Sequence, residues 1–160
     1  MHDQLNTTTN SPVEDGYDFF IDDQWGKKYH FRILSFPVSP GLFSEAVEVI
    51  QETSQHAPRV YSILSPPNVD IEKAELQLKA KIQKSINQSH LDFEDGEPVI
   101  NDNRILRGRI DWDDKLDSNF DTNFVIDGKK ITIEQFIEML QVYGGWNFKF
   151  EIRDRTDDID

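Results

Sequence analysis

Residues 17–34 read YDFFIDDQWGKKYHFRIL and carry the clearest structural pattern in the chain. Large apolar side chains occupy every second position in both halves of this stretch, and Gly26 lies in the short polar connection between them. Alternation around a Gly-containing turn predicts a β-hairpin. The apolar positions are Tyr17, Phe19, Ile21, Tyr29, Phe31 and Ile33.

The residues that follow predict two further strands and a helix. The strands are expected over 44–51 and 60–64. Asp70 then precedes a segment whose apolar residues recur every three or four positions, which predicts an amphipathic helix that ends near His90. The apolar positions of this helix are Ile71, Ala74, Leu78, Ile82 and Ile86.

The C-terminal third alternates strongly in three places and has one helical pattern. Strands are predicted over 106–112, 122–126 and 147–153, the last with Phe148, Phe150 and Ile152 facing inward. A helix is predicted before the last strand, because Thr132 and Gln135 have the spacing of a capping box and Gly144 could end the helix in a left-handed conformation. Its buried stripe is expected to be Ile133, Phe136, Ile137 and Leu140.

This order of elements predicts an α+β fold with a mostly antiparallel sheet. Consecutive strands interrupted by two helices favour about six or seven strands in one sheet, with both amphipathic helices packed on one face. We expect residues 1–16 to be a disordered tail, residues 17–153 to be a single domain, and residues 154–160 to be an acidic C-terminal tail.

Composition limits the function classes. The chain has no Cys, which excludes disulfides and thiolate sites, and no apolar run approaches the length of a membrane span. A cytoplasmic location without cofactor or membrane contact is expected. The formal net charge is −13, and residues 92–127 hold eleven acidic and four basic residues. Nucleic-acid binding is not expected, because such proteins concentrate Lys and Arg.

Four short segments of the C-terminal half carry a family resemblance. They are Leu106–Asp113 (LRGRIDWD), Val125–Lys129 (VIDGK), Ile131–Phe136 (ITIEQF) and Gly145–Ile152 (GWNFKFEI). From about Tyr17 to Asp158, including the early Trp25-Gly26-Lys27 hairpin, the chain resembles a bacterial domain family of unknown function. The resemblance implies an uncharacterised bacterial protein and assigns no catalytic residue.

The outer face of the C-terminal strands is one candidate binding surface. Arg107, Arg109, Lys149 and Arg153 would lie there beside Asp111 and Glu151 if the two strands are adjacent. Guanidinium groups on that face could hold an anionic ligand. The alternative is cross-strand ion pairing that keeps an exposed face soluble.

Acidic residues and one tryptophan supply the other candidates. Asp111, Asp113, Asp114 and Asp117 could steer a basic partner, whereas their spacing does not match an EF-hand loop, so no metal site is predicted. Trp25 at the hairpin tip could contact a partner or pack back onto the sheet. His30 beside Asp18 or Asp22 is interpreted as a surface ion pair rather than a general base.

These observations favour a non-enzymatic protein-interaction module. One version is an acidic inhibitor that neutralises a basic protein, as immunity proteins do. Two alternatives stay open: an enzyme whose active site has no recognisable motif, and a small-anion-binding protein that uses the basic face. A deep pocket holding titratable groups with displaced pKa values would favour the enzyme.

Overall fold

The computed structural model describes residues 16–159. Four consecutive strands form one antiparallel sheet in chain order: β1 (Tyr17–Asp22), β2 (Lys28–Val38), β3 (Gly41–Glu48) and β4 (Val60–Ser65). Phe19 lies opposite Phe31 in the β1–β2 pair. The predicted hairpin is therefore confirmed.

Helix α1 (Ile71–Ile86) covers one face of this sheet. The helix stripe Leu78, Ile82 and Ile86 is buried against the inward residues of β2, among them Phe31 and Ile33. Each such side chain stabilises the fold by about 1.5–3 kcal/mol relative to an exposed position. Periodicity placed this helix correctly, with Ile71 as its first residue. The helix ends at Ile86, before the predicted end near His90.

Five more strands and a second helix follow α1. The strands are β5 (Leu91–Glu94), β6 (Glu97–Ile100), β7 (Arg109–Trp112), β8 (Thr122–Ile126) and β9 (Lys129–Thr132). Helix α2 (Ile133–Leu140) begins with the predicted capping box, in which Gln135 N–H donates to Thr132 Oγ1 at 3.1 Å. A short 3-10 helix, Gln141–Tyr143, follows it.

The later strands form two small sheets. β5 and β6 pair as a hairpin, and β7, β8 and β9 form a three-stranded sheet in that order. Ile126 and Ile131 of the larger sheet pack with Met139 of α2 and Leu91 of β5. Phe124 and Phe136 add a ring contact with centroids 4.7 Å apart.

The chain divides into two compact units. The first unit holds the described residues up to Ile50, Val60–Asn87 and those from Arg153 onward; the second unit holds Gln51–Arg59 and Gln88–Ile152. The α+β class and the mostly antiparallel pairing are confirmed. The expectation of one sheet with six or seven strands is wrong, because nine described strands form three sheets. Each helix packs on a different sheet rather than both on one face.

The predicted last strand is not formed. Residues 144–153 belong to no helix or strand, and the three side chains expected to face inward, Phe148, Phe150 and Ile152, are exposed. Gly144 has φ −51, so it is not the left-handed residue predicted there; Gly145, at φ +90, is. Alternating apolar and polar residues indicate which side chains would share a face of a strand. A strand also needs a neighbouring strand to hydrogen-bond its backbone, and alternation does not predict that neighbour.

Of the expected N-terminal tail, residues 1–15 lie outside the described residues. In the acidic C-terminal segment, the carbonyls of Arg155 and Asp157 accept hydrogen bonds from Lys81 Nζ at 3.3 and 3.0 Å. Lys81 also donates to Ser62 O at 2.8 Å, so this segment lies against α1 and β4 of its own unit.

Candidate functional site

One face of the β7–β8–β9 sheet is lined by polar and charged side chains. The register places Arg109 opposite Val125 and Asp111 opposite Asn123, and Val125 lies opposite Lys130 on its other side. Arg109 donates to Pro58 O at 3.0 Å and to Asp111 Oδ2 at 3.2 Å. Arg109 is therefore engaged by its own chain.

Lys130 is the most buried cation on this face. Its side chain is 5% exposed, and its ammonium lies 2.8 Å from both Glu52 and Asp113. Burial lowers the pKa of Lys130, but the hydrogen bonds and charges of the two carboxylates outweigh burial and raise it. The hydrogen bond from Lys130 in turn lowers the pKa of Asp113.

Asn123 lies on the same face and is almost completely buried. Its side-chain Oδ1 and Nδ2 make no hydrogen bond within the described part of the chain. Sequence reasoning missed Lys130, Glu52 and Asn123 because the segment Gln51–Arg59 reaches β9 from far away in the chain, with Lys130 N–H donating to Gln55 O at 2.9 Å. Nothing local in the sequence signals that contact.

The four acidic residues predicted to steer a partner are not equivalent. Asp111 and Asp113 are held by Arg109 and Lys130, as described, whereas Asp114 and Asp117 are exposed. No group of three or more potential metal ligands of the His, Cys, Asp and Glu types occurs among residues 16–159.

The predicted basic face is not assembled as a pair of adjacent strands. Lys149 is exposed in the segment after Gly145, where its ammonium lies 3.8 Å from Glu151. Arg107 precedes β7 and is half-buried, and Arg153 falls in the first unit. The strand that was expected to bring Lys149 beside Arg109 does not exist in the structure.

Trp25 lies in the turn between β1 and β2 and is 61% exposed. The carboxylate of Asp23 fixes this turn by accepting the backbone N–H groups of Trp25 and Lys27, both at 2.9 Å. The indole therefore projects from a rigid turn. His30 Nε2 lies 2.9 Å from Asp18 Oδ1, so these two surface side chains are in the predicted contact.

The second unit exposes more apolar surface than the sequence predicted. Phe148 is 91% exposed, Trp112 of β7 is 78% exposed, and Phe150 and Ile152 are exposed as well. Single exposed apolar residues are ordinary, whereas several close together in one segment are unusual. We call Trp146–Ile152 the apolar segment.

Two acidic residues outside these surfaces, the partly buried Asp127 and the buried Glu75, accept several hydrogen bonds. Asp127 accepts from His90 Nδ1 at 2.8 Å and from two backbone N–H groups, and His90 Nε2 is buried without a hydrogen-bond partner in the described chain. Glu75 of α1 accepts from Tyr17 Oη at 2.9 Å and from Ser35 Oγ at 2.5 Å. Burial, followed by the bond and charge of Glu75, raises the pKa of Tyr17.

These residues define an α+β chain with a polar face whose charged groups pair with one another, and with an exposed apolar segment. Two family models match the chain, both described as a domain of unknown function: DUF7686 over residues 14–87 and DUF7713 over residues 90–157. The resemblance to a family of unknown function is therefore confirmed. No curated protein and no solved structure matches the chain significantly. Within residues 16–159, neither helix meets the length and hydropathy of a bilayer-spanning segment.

Proposed function

We propose that this chain is a non-enzymatic protein-interaction module whose contact surface is the apolar segment together with β7. The observation that carries the proposal is the exposure of Phe148, Phe150 and Ile152 at alternating positions of one extended stretch. Burying each of these side chains in a complex would contribute about 1.5–3 kcal/mol before the costs of association.

The charged candidates support the enzyme and anion-binding alternatives less well. The pKa values of Asp113 and Lys130 are displaced because these two side chains form an ion pair. Arg109 and Asp111 form another ion pair. Buried ion-pair networks shift pKa values without any catalytic role. An anion at Arg109 would have to compete with the carboxylate of Asp111.

A capture experiment tests the interaction proposal. Phe148→Ser/Phe150→Ser removes two exposed rings from the apolar segment, and Trp25→Ser removes an exposed ring from the first unit as a matched control. Protein species that bind the wild-type chain from its native host should be lost with the double variant and kept with Trp25→Ser. Identical capture by all three chains would contradict the proposal.

The acidic-inhibitor version depends on Asp114 and Asp117, because these two carboxylates are exposed. For a basic partner, Asp114→Asn/Asp117→Asn should slow association at low salt several-fold, since exposed charges act mainly on the rate of encounter. Stopped-flow measurements at two ionic strengths would check this. An unchanged association rate would remove the acidic-inhibitor version and leave the apolar contact.

A further inference from the structure

Strand β7 is an edge strand of its sheet in the second unit, and the backbone N–H of its Trp112 donates to Asp111 Oδ1 at 2.9 Å. Its hydrogen-bonded neighbour is β8, and no other described strand pairs with it. Ile110 and Trp112 of β7 are both exposed on the side of the sheet that carries Phe124 and α2. An edge strand with exposed apolar side chains is a template for strand addition.

The apolar segment has the residue pattern that this edge would accept. In an antiparallel alignment with Trp112 opposite Phe148, Ile110 falls opposite Phe150. The polar positions then oppose Asp111 to Lys149 and Arg109 to Glu151. The contacts within each strand, Arg109 with Asp111 and Lys149 with Glu151, would thereby be exchanged for pairs between the strands. Apolar side chains thus meet apolar ones and charges meet opposite charges at all four positions, which is the pattern that stabilises cross-strand pairs.

Neighbouring alignments lack this complementarity. A shift of one residue in either direction opposes apolar side chains to polar or charged ones at all four positions. A shift of two residues in one direction opposes Asp111 to Glu151, and in the other direction it opposes Arg109 to Lys149. The charges therefore select one antiparallel register.

We propose that the partner is a second copy of this chain, and that the two copies exchange their apolar segments reciprocally, each segment adding to β7 of the other copy. This deepens the proposed function and rests on it. Both halves of the complementary register are encoded in one chain, yet the apolar segment forms no strand with its own β7. Reciprocal exchange gives a closed twofold dimer rather than a fibre, because each copy both donates and receives one segment.

Two charge-reversed variants test the register. Lys149→Glu/Glu151→Lys reverses the segment, and Arg109→Asp/Asp111→Arg reverses β7; both keep the net charge of the chain. Either variant alone mismatches both contacts of the dimer, so its dissociation constant should rise about 100-fold, as expected for the loss of several cross-strand charge pairs. Mixed together, the two variants match at both contacts and should form a heterodimer of wild-type affinity.

Sedimentation equilibrium of the full chains measures these associations, with circular dichroism to establish that each variant is folded. A wild-type chain that is still monomeric at 100 µM would overturn the proposal, because that concentration is well above a micromolar dissociation constant. Equal association of the wild type, each variant and their mixture would also overturn it.

Crosslinking gives a readout that does not depend on Arg109, whose substitution could unfold β7. The chain has no native Cys, so Ile110→Cys mixed with Phe150→Cys should oxidise to a disulfide-linked heterodimer. Ile110→Cys mixed with Phe20→Cys, which lies in the first unit, is the control and should not. Equal crosslinking in both mixtures would contradict the register. A monomeric wild type that still captures another protein through Phe148 and Phe150 would reject self-association and keep the proposed function, whereas loss of both would reject both.

Discussion

Asp127 and Asp95 occupy the same kind of turn but have different surroundings. Each precedes a Gly in a two-residue hairpin connection, and their φ angles are +54 and +53. Asp95 is exposed, whereas the carboxylate of Asp127 accepts three hydrogen bonds from His90 and Leu91. The sequence predicted the second turn from its Asp-Gly pair. It did not reveal that one carboxylate joins the start of β5 to the β8–β9 turn, since that contact spans 37 residues.

Asp127→Asn should lower the free energy of unfolding by about 1–3 kcal/mol, because an amide offers one acceptor oxygen where the carboxylate bonds three donors. Asn tolerates positive φ well, so the turn itself should survive. Asp95→Asn is the matched control and should change stability by about 0.5 kcal/mol or less. Urea denaturation at pH 7 measures both, and equal effects would contradict the role given to Asp127.

The same carboxylate gives a pH dependence with a defined sign. Burial raises the pKa of Asp127, but the hydrogen bonds from His90 and Leu91 outweigh burial and hold it below the ordinary value. A folded-state pKa below the unfolded one contributes stability that is present above about pH 4 and is lost as the pH falls through the folded pKa. Urea midpoints between about pH 5 and 2 should fall more steeply in the wild type than in Asp127→Asn. Parallel curves would be the contrary result.

Helix α1 shows what periodicity predicts and what it leaves out. Its apolar stripe was found from the sequence, but Glu75 lies in the same stripe and is buried. An acid inside an apolar stripe is a local signal that a buried acceptor is needed. The donors, Tyr17 and Ser35, come from strands whose pairing with the helix the sequence does not specify. The β5–β6 hairpin was missed for a different reason, because its acidic residues obscured the Asp95-Gly96 turn.

Glu75→Leu should lower the free energy of unfolding by about 1–3 kcal/mol, because the buried hydroxyl of Ser35 and the partly buried hydroxyl of Tyr17 would both lose this acceptor. Adding Tyr17→Phe and Ser35→Ala to that variant should recover part of the loss, since the unsatisfied donors are then gone. Glu72→Leu, at an exposed position of the same helix, is the control. Thermal unfolding followed by circular dichroism compares the four chains, and a triple variant no more stable than Glu75→Leu would refute this account.

The two compact units interleave along the chain. Gln51–Arg59 lies between two first-unit segments in sequence but belongs to the second unit, and the residues from Arg153 onward return to the first. The two family matches divide the chain near residue 88. Residue patterns predicted most of the elements, although not the β5–β6 hairpin, and they did not predict these long-range assignments, because which sheet receives a strand depends on pairings far apart in sequence. The polar face around Lys130 was missed for the same reason, while Arg109, Asp111 and Asp113 were named without their partners.

A single domain over residues 17–153 stays a prediction, and native-state hydrogen exchange can test it. If the units unfold together, Glu75→Leu in the first unit should lower the protection of β8 amides by the same free energy as that of β2 amides. Protection factors of the wild type and the variant give both values. Loss of protection in β2 with β8 unchanged would show that the units unfold separately.

The docking of the acidic C-terminal segment has a practical consequence. Lys81 holds the carbonyls of Arg155 and Asp157, only a few residues before the final Asp160. A shortened chain that stops before Arg155 would lose both carbonyls, and the Lys81 ammonium at the edge of α1 would have to replace them with water.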